Sequence, residues 1–380
     1  MNNDELKRRA ETALANFVHR KPEAPPWENR KIVIYGAGSF GRDLANALLR
    51  RRNVDILGFL DQKGIGQTVC HDLRAYNLES SMGKKWLAEK PIVMIGVFNF
   101  SASLREIKEI LLVFGFSPVL TPMEYYANLQ EELGWRYWLA RGQDYIEAAE
   151  PLRKVFDLWA DEESKRLFLE TLLFRLDADL ASLSTISSAE SQYADTTVPR
   201  WKEPLRMVDG GAYLGDAIRC VASQRYAFDS IYSFEPDEAN FKQLRGELAS
   251  IVGAAKISLW PCGLWSTSCQ LRFSQGGGAS SKLSETGTSH VPVVALDDVL
   301  IHQQINLIKL DIEGAELEAL SGARRMMDKD RPGLAVCLYH YPDHLWSIPL
   351  WVESLQLGYR MYYRAHQQNS FDTILYAIPK

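Results

Sequence analysis

Short apolar runs alternate with helical patterns of apolar residues in two separate parts of the chain. In the first part, runs of strand length occupy residues 31–35, 54–60, 91–96 and 118–121. Helical patterns follow the first and third of these runs, and a further one covers residues 4–18. Buried strands that alternate with helices favour a parallel sheet with helices on its faces. The pattern predicts a small doubly wound α/β unit preceded by a helix.

The second part of the chain repeats this alternation. Strands are predicted at residues 205–208, 230–234, 256–260, 306–310 and 333–338. Two further strands, at 359–363 and 373–378, have only a loop between them, which indicates an antiparallel hairpin. We therefore predict a second Rossmann-like doubly wound sheet that is closed by an antiparallel hairpin, as in class I methyltransferases.

The segment between these two parts is predicted to be helical. Leu152, Val155, Phe156 and Trp159 have the i, i+3, i+4, i+7 spacing of an amphipathic helix. The predicted fold class is therefore α/β, with two Rossmann-like units joined by a helical segment. We expect an N-terminal domain over residues 1–127, a helical connector over 128–200 and a C-terminal domain over 201–380.

Composition narrows the possible partners. The 380 residues are 46% hydrophobic and 24% charged, as in ordinary globular proteins of two domains. A net charge of -5 gives no electrostatic reason to expect nucleic acid. The apolar runs are too short to span a bilayer, and the first residues have no apolar signal segment. We therefore expect a cytoplasmic protein without an integral membrane segment.

A glycine-rich turn follows the first predicted strand. Gly36, Gly38 and Gly41 have the G-x-G-x-x-G spacing of a dinucleotide-binding turn, and Asp61 lies 20 residues beyond Gly41. An acid at this offset accepts hydrogen bonds from ribose hydroxyls in such folds. The order of GAGSFG, a helix and GFLDQ also resembles the N-terminal domains of bacterial nucleotide-sugar-modifying enzymes. The turn is therefore interpreted as a second nucleotide site or, alternatively, as tight packing between helix and strand.

A different glycine turn, DGGAYLGD, follows the first strand of the C-terminal domain. Its glycines lack the G-x-G-x-x-G spacing, and acids stand on both sides, at Asp209 and Asp216. Carboxylates would repel a pyrophosphate, whereas the ammonium and sulfonium groups of S-adenosylmethionine (SAM) are cations. The charge pattern favours SAM over NAD.

Further candidate residues follow the other strands of this domain. Glu235 lies 24 residues after Gly211, where a ribose-diol acceptor is expected, and Gly263 with Leu264 is positioned for adenine. Asp311 and His340 follow the last two parallel strands. Because parallel strands joined by helices end at one edge, these residues are predicted to converge.

Six motifs together resemble the FkbM-type SAM-dependent methyltransferases. They are DGGAYLGD, FEPD, GLW, SSKLSE, KLDIEGAELEALSGA and YHYPDHLW, and the resemblance covers about residues 161–380. It implies O-methylation of a hydroxyl group on a small molecule or glycan, such as a sugar or surface-glycan precursor. It also implies that Asp209, Gly211, Glu235 and Asp311 contact or frame SAM. We add their neighbours to the predicted cofactor site: Gly210, Ala212, Tyr213, Gly215, Asp216, Pro236, Gly263 and Leu264.

Three residues compete for the role of proton acceptor. Lys309 shares a strand face with Asp311 and Glu313, so we expect it to pair with an acid. An ordinary carboxylate, with a pKa of about 4, is a weak base toward an alcohol, whereas histidine is matched to neutral pH. We therefore expect His340 to accept the proton and Asp311 to position SAM or the acceptor. The alternative for His340 is packing between its neighbouring tyrosines.

Carboxylates and a histidine at strand ends also raise the question of a metal. Asp311, Glu313 and His340 are side chains that can ligate Mg²⁺, but acids at strand ends are common without metals, and we expect none here. Two other functions remain open. One is an oxidoreductase or epimerase that uses NAD or a nucleotide-sugar at GAGSFG, and the other is a non-catalytic nucleotide-binding protein.

Overall fold

The computed structural model describes most of the chain. The described residues are 3–19, 27–51, 53–140, 144–145, 148–183, 186–252, 255–274, 282–283 and 289–380. All of the SSKLSE motif except Lys282 and Leu283 lies outside them. No helix in these ranges is both long and apolar enough to cross a membrane.

The chain divides into two compact units. Unit 1 comprises Met1–Ala149, Arg166–Thr185 and Gln367–Phe371, and unit 2 comprises Glu150–Lys165, Ile186–His366 and Asp372–Lys380. The segment 128–200, predicted as a connector, is thus divided between the units. Two helices contain unit boundaries, namely α6 (Ala149–Leu158) and α7 (Glu162–Asp177).

Unit 1 contains a six-stranded sheet. Its strands are β1 (Lys31–Tyr35), β2 (Asp55–Leu60), β3 (Ile65–Cys70), β4 (Leu73–Tyr76), β5 (Ile92–Ile95) and β6 (Val119–Leu120). The order is β3-β4-β2-β1-β5-β6, and only β3 runs antiparallel to its neighbour. The sequence analysis did not predict β3 and β4. The reason is that β3, IGQTVC, has no buried residue and no continuous apolar run, which is the pattern used to predict a buried strand.

Three of the helices of unit 1 before α6 lie where they were predicted, namely near residues 4–18, after β1 and after β5, whereas the helix at Ser81–Ala88 was not predicted. In chain order, the helices before α6 are α1 (Asn3–His19), α2 (Ser39–Leu49), α3 (Ser81–Ala88), α4 (Leu104–Val113) and α5 (Pro122–Leu133). Helix α2 buries Phe40, Leu44 and Leu48 on one face, at the spacing expected for a helix that covers a sheet. Helix α5 begins with a capping box between Thr121 and Glu124 and with a proline at its first turn.

Unit 2 contains a seven-stranded sheet of order β16-β17-β15-β14-β7-β8-β9. Its strands are β7 (Leu205–Gly210), β8 (Phe228–Phe234), β9 (Lys256–Trp260), β14 (Leu307–Leu310), β15 (Gly333–Cys337), β16 (Tyr359–Ala365) and β17 (Thr373–Pro379). All neighbours are parallel except β17, which is antiparallel to both β15 and β16. The predicted α/β class, with a closing antiparallel hairpin, is confirmed.

Unit 2 also contains helices and a second, smaller sheet. The helices are α8 (Asp216–Ser223), α9 (Glu238–Val252), α10 (Leu296–Val299), α11 (Glu316–Ser321), α12 (Arg324–Asp330) and α13 (His344–Ser354). A small second sheet, of order β10-β13-β11-β12, contains β10 (Gly263–Leu264), β11 (Cys269–Ser274), β12 (Lys282–Leu283) and β13 (Ser289–Val294). The sequence analysis predicted none of these four strands, because they are short and lack long apolar runs.

The direction of β17 determines which residue lies at the edge of the sheet. Cys337, the last residue of β15, pairs with Ile374, and the amide of Leu338 donates to the carbonyl oxygen of Thr373. An antiparallel strand therefore begins where the parallel strands end. Asp372, directly before β17, lies at the same edge as the residues that follow β14 and β15.

Candidate active site

The glycine turn of unit 2 connects the end of β7 to α8. Gly210 is the last residue of β7, and Asp216 is the exposed first residue of α8. The amides of Gly211 and Ala212 both donate to the carbonyl oxygen of Phe234, at 3.0 and 3.1 Å. A Cβ atom on Gly211, whose φ is +72°, would overlap the carbonyl oxygen of Asp311. Glycine at this position thus allows the turn to approach the end of β14.

Lys309 holds this turn in place from the neighbouring strand. Its Nζ lies 3.0 Å from Asp209 Oδ1 and donates to the carbonyl oxygens of Gly210 and Gly211, at 3.0 and 2.7 Å. Burial opposes its charge, but attraction by Asp209 and Asp311 outweighs burial and raises the pKa of Lys309 above its ordinary value. Lys309 is therefore protonated and pairs with Asp209, and neither side chain has the exposure needed to contact a substrate.

Glu235 lies directly after β8 and is almost completely buried. Its Oε2 accepts from the amide of Tyr213 at 2.8 Å, and its Oε1 accepts from the amide of Asp237 at 2.9 Å. Burial raises the pKa of this carboxyl group. The hydrogen-bond donors that the structure describes around it are neutral, so the carboxylate is held in position without a cation.

The other predicted cofactor residues lie close to Glu235. A Cβ atom on Gly263 would be 4.0 Å from Pro236, and one on Gly210 would be 2.9 Å from Leu264. The structure therefore brings together the glycine turn, the end of β8 and β10. These three segments were predicted to form one site because of their positions at strand ends.

Asp311 accepts hydrogen bonds from two tyrosine hydroxyl groups. Tyr193 OH donates to Asp311 Oδ2 at 2.8 Å, and Tyr339 OH donates to Asp311 Oδ1 at 3.1 Å. The sequence analysis gave Tyr193 no functional role because it precedes β7 by 12 residues and follows no strand. Its contact with Asp311 depends on how the segment before β7 folds back, for which the sequence has no local signal.

The environment of His340 differs from the one that the sequence analysis expected. The imidazole is fully buried, with Nδ1 2.9 Å from Glu316 Oε1, and Nε2 3.3 Å from Asp311 Oδ1 and 3.9 Å from Glu313 Oε1. Burial opposes a charge on the ring, but the carboxylates, chiefly Glu316, outweigh it and raise the pKa of His340 to about 10. At pH 7 the ring is protonated and has no lone pair for a substrate proton. His340 instead neutralises the surrounding acids.

Asp372 is a carboxyl group at this edge that the sequence analysis missed. Burial and the nearby Asp311 carboxylate raise its pKa to about 7, although a hydrogen bond with Tyr339 opposes the shift. The sequence signal was its position directly before an antiparallel strand. A strand that runs backwards presents its first residue at the edge where parallel strands present their last.

The stability of the fold is expected to depend on pH through His340 and Glu316. The folded pKa of His340, about 10, lies above its ordinary 6.5, so its stabilisation is complete below pH 6.5 and is lost as the pH rises toward 10. Burial opposes the charge of Glu316, but His340 and the buried His344, 3.3 Å from its other oxygen, lower its pKa to about 2 from 4.5. The stabilisation from Glu316 is therefore lost as the pH falls below 4.5.

Urea unfolding at intervals from pH 6 to 9.5 tests the alkaline part of this prediction. The free energy of unfolding of the wild type should fall more steeply with pH than that of His340→Gln. The matched control is His302→Gln, which removes an exposed histidine and should keep the wild-type slope. Equal slopes for the wild type and His340→Gln would contradict the assigned protonation.

The second predicted site lies in unit 1. Gly36 and Gly38 lie in the connection from β1 to α2, Gly41 lies in the first turn of α2, and Asp61 directly follows β2. Asp61 Oδ2 accepts from the amide of Ala37 at 2.9 Å. The four predicted residues are therefore adjacent at the carboxyl edge of the unit 1 sheet. Within the described ranges of both units, no group of three or more His, Cys, Asp or Glu side chains is arranged to hold a metal ion.

Unit 2 has the class I methyltransferase arrangement, since an antiparallel strand closes its sheet, and a glycine turn and two acids converge at the carboxyl edge. Residues 209–365 match the family model described as the methyltransferase FkbM domain. The sequence of this part of the chain is therefore similar to the FkbM methyltransferase domains.

Solved structures extend the comparison to the rest of the chain. The crystal structure of methyltransferase FkbM from Methylobacillus flagellatus KT is 21% identical, covers 99% of both chains and has a TM-score of 0.80. At this identity the likeness concerns the fold. GenD2 from gentamicin A biosynthesis, in complex with NAD, is 15% identical over 38% of this chain and 43% of its own, with a TM-score of only 0.20. A search of curated proteins found no match.

Proposed function

We propose that this protein transfers the methyl group of SAM to a hydroxyl group of a small molecule or glycan, such as a sugar of a surface-glycan precursor. The observation that supports this most is the convergence of the glycine turn, Glu235 and Asp311 at one sheet edge, in a domain that matches the FkbM methyltransferases. SAM would supply an electrophilic methyl group on a sulfonium. The protein must then align a hydroxyl with that methyl and accept its proton.

The chemistry of the edge fits the parts of SAM. Glu235 is a buried carboxylate held by the amides of Tyr213 and Asp237 and by the side chain of Asn240, and it retains acceptor capacity for a ribose hydroxyl. Gly263 and Leu264, beside Pro236, offer a surface for the adenine ring. The turn at Gly211 allows close approach of a ligand to the backbone, as glycine turns do at such switch points.

The charges at the edge favour a cationic ligand. Asp311, Glu313 and Asp372 lie around the buried imidazolium of His340, which also contacts Glu316. An excess of carboxylates attracts the ammonium and sulfonium groups of SAM and repels a diphosphate. In this proposal Asp311, fixed by Tyr193 and Tyr339, positions the methionine end of SAM or the acceptor hydroxyl.

The residue that accepts the proton is proposed to be Asp372 rather than His340. The acceptor oxygen would bond to the methyl carbon as the carbon–sulfur bond of SAM breaks and S-adenosylhomocysteine leaves, and the hydroxyl proton would pass to the Asp372 carboxylate. A carboxyl group with a pKa of about 7 is partly ionised at neutral pH and is a stronger base than an ordinary carboxylate. His340 is already protonated, so its role is to hold Asp311 and Glu313 in place.

Calorimetric titration with SAM tests the cofactor site. Glu235→Gln preserves the size of the side chain but removes the charged acceptor, and should weaken SAM binding by roughly 1.5–3 kcal/mol, or about 10- to 150-fold. The matched control is Glu238→Gln, an exposed residue three positions on, which should bind SAM like the wild type. If Glu235→Gln binds SAM within twofold of the wild type, or the wild type does not bind SAM, the proposed cofactor site is wrong.

A further inference from the structure

We propose that unit 1 binds a nucleoside diphosphate in a cavity of about 450 Å³ at the carboxyl edge of its six-stranded sheet. This site would be separate from the proposed methyl-transfer site, because the residues that line the cavity all belong to unit 1. The protein would then bind a second ligand, an anionic one, which the carboxylates at the sheet edge of unit 2 would repel.

The cavity lies at the switch point of the sheet. β1 pairs with β2 on one side and with β5 on the other, so the connections that leave β1 and β5 diverge. Gly36 after β1, Asp61 after β2 and Val97 after β5 all line the cavity. Open α/β sheets bind their ligands in the crevice at this position.

Packing requires glycine at two of the three glycine positions, Gly36 and Gly41, but not at Gly38. A Cβ atom on Gly41 would overlap the carbonyl oxygen of Gly36, and one on Gly36 would lie 2.5 Å from a methyl group of Val97. Packing therefore requires both glycines. Gly38 has a φ of -73°, which any residue adopts, and a Cβ atom there would meet no atom within 4 Å. The open space in front of Gly38 is where a phosphate can approach the backbone.

The polar groups around this space favour a phosphate. Arg42 Nη1 donates to the carbonyl oxygen of Ala37 at 3.1 Å, which places a guanidinium group beside the turn. Gly38 is the N-cap of α2 and has no side chain to occupy the first amides of the helix. A cation beside free space at the start of a helix attracts anions, and arginine binds phosphate oxygens well.

The cavity itself, which the glycine turn borders at Gly36, fits a nucleoside. Asp61 accepts from the amides of Ala37 and Lys63, at 2.9 Å each, so both of its oxygens are held at the cavity wall. Each oxygen retains a lone pair that can accept from a ribose hydroxyl. Val97, Ile107 and Ile110 add an apolar surface for a base, and Ile110 is 40% exposed. A diol acceptor, an apolar wall and a phosphate position together define a nucleoside diphosphate.

Calorimetric titration of the full chain with ADP, UDP, GDP and CDP tests the proposal. At least one of them should bind the wild type, and Gly38→Val should weaken that binding at least tenfold because its side chain fills the phosphate space. The variant should unfold at the wild-type temperature, since the added atoms meet open space. Arg42→Gln should weaken binding about fivefold or more. The matched control is Arg50→Gln, which removes an exposed arginine from the other end of α2 and should bind normally.

Two further measurements separate this proposal from the methyltransferase proposal. Gly38→Val and Arg42→Gln should bind SAM like the wild type, whereas Glu235→Gln should retain nucleoside diphosphate binding. The proposal is overturned if none of the four nucleotides binds the wild type, or if Gly38→Val and Arg42→Gln both bind like the wild type. It is also overturned if inorganic pyrophosphate binds as tightly as the nucleotides, because the nucleoside part of the site would then be absent.

Discussion

Replacing Lys309 with methionine is expected to lower the free energy of unfolding by about 3–5 kcal/mol. Methionine fills a similar volume, but it leaves the Asp209 carboxylate, which has no exposed surface, without its cation. The carbonyl oxygens of Gly210 and Gly211 lose a hydrogen-bond donor at the same time. Urea unfolding at pH 7 measures the change.

A double variant and an exposed control make this test specific. Lys309→Met combined with Asp209→Asn removes both charges, so it should be more stable than Lys309→Met alone. Lys242→Met breaks an exposed ion pair with Glu238 and should leave the stability almost unchanged. A Lys309→Met protein as stable as the wild type would show that the buried charge of Asp209 needs no partner.

Replacing Asp372 with asparagine is expected to lower kcat by about 10²- to 10⁴-fold, with SAM affinity little changed. Asparagine has nearly the same shape but cannot take up a proton. The proposed base must be ionised, so kcat of the wild type should rise as the pH passes through about 7. The formation of S-adenosylhomocysteine, measured with a panel of sugar acceptors from pH 5.5 to 8.5, follows this rise.

The matched control is Asp343→Asn, which changes an exposed acid at the N-cap of α13. This variant should keep the wild-type rate and pH profile. Asp372→Asn should lose the rise near pH 7 together with its rate. A variant with wild-type kcat at pH 7 would assign the proton to Asp311 or to solvent instead. A variant with low kcat and equally weakened SAM binding would assign Asp372 a role in the cofactor site.

The sequence was sufficient to predict which strand ends meet. Glu235 and Asp311 each follow an apolar run, and parallel strands joined by helices must end at one edge. Their convergence therefore follows from chain order alone, without any knowledge of side-chain contacts. The same reasoning located Gly36 and Asp61 together at the edge of unit 1.

The chemical state of the side chains could not be predicted in this way. The charge of His340 depends on Glu316, which lies 24 residues before it and contacts it only after α11 has packed. Carboxylates in contact with a histidine raise its pKa and keep it protonated. Sequence spacing does not determine the distance between the imidazole and the carboxylates. The contact of Tyr193 with Asp311 and that of Asp372 with Tyr339 likewise depend on the packing of segments that are distant in the sequence.

The contacts of Lys309 also affect how ligand binding begins. One ammonium group joins β14 to Asp209 and to two carbonyl oxygens of the glycine turn, all within the folded chain. The turn is therefore ordered before any ligand arrives, and association does not require the loss of its backbone entropy. Preorganised sites of this kind retain more of their contact energy as affinity. A cation that never touches the ligand can thereby determine how tightly the ligand is held.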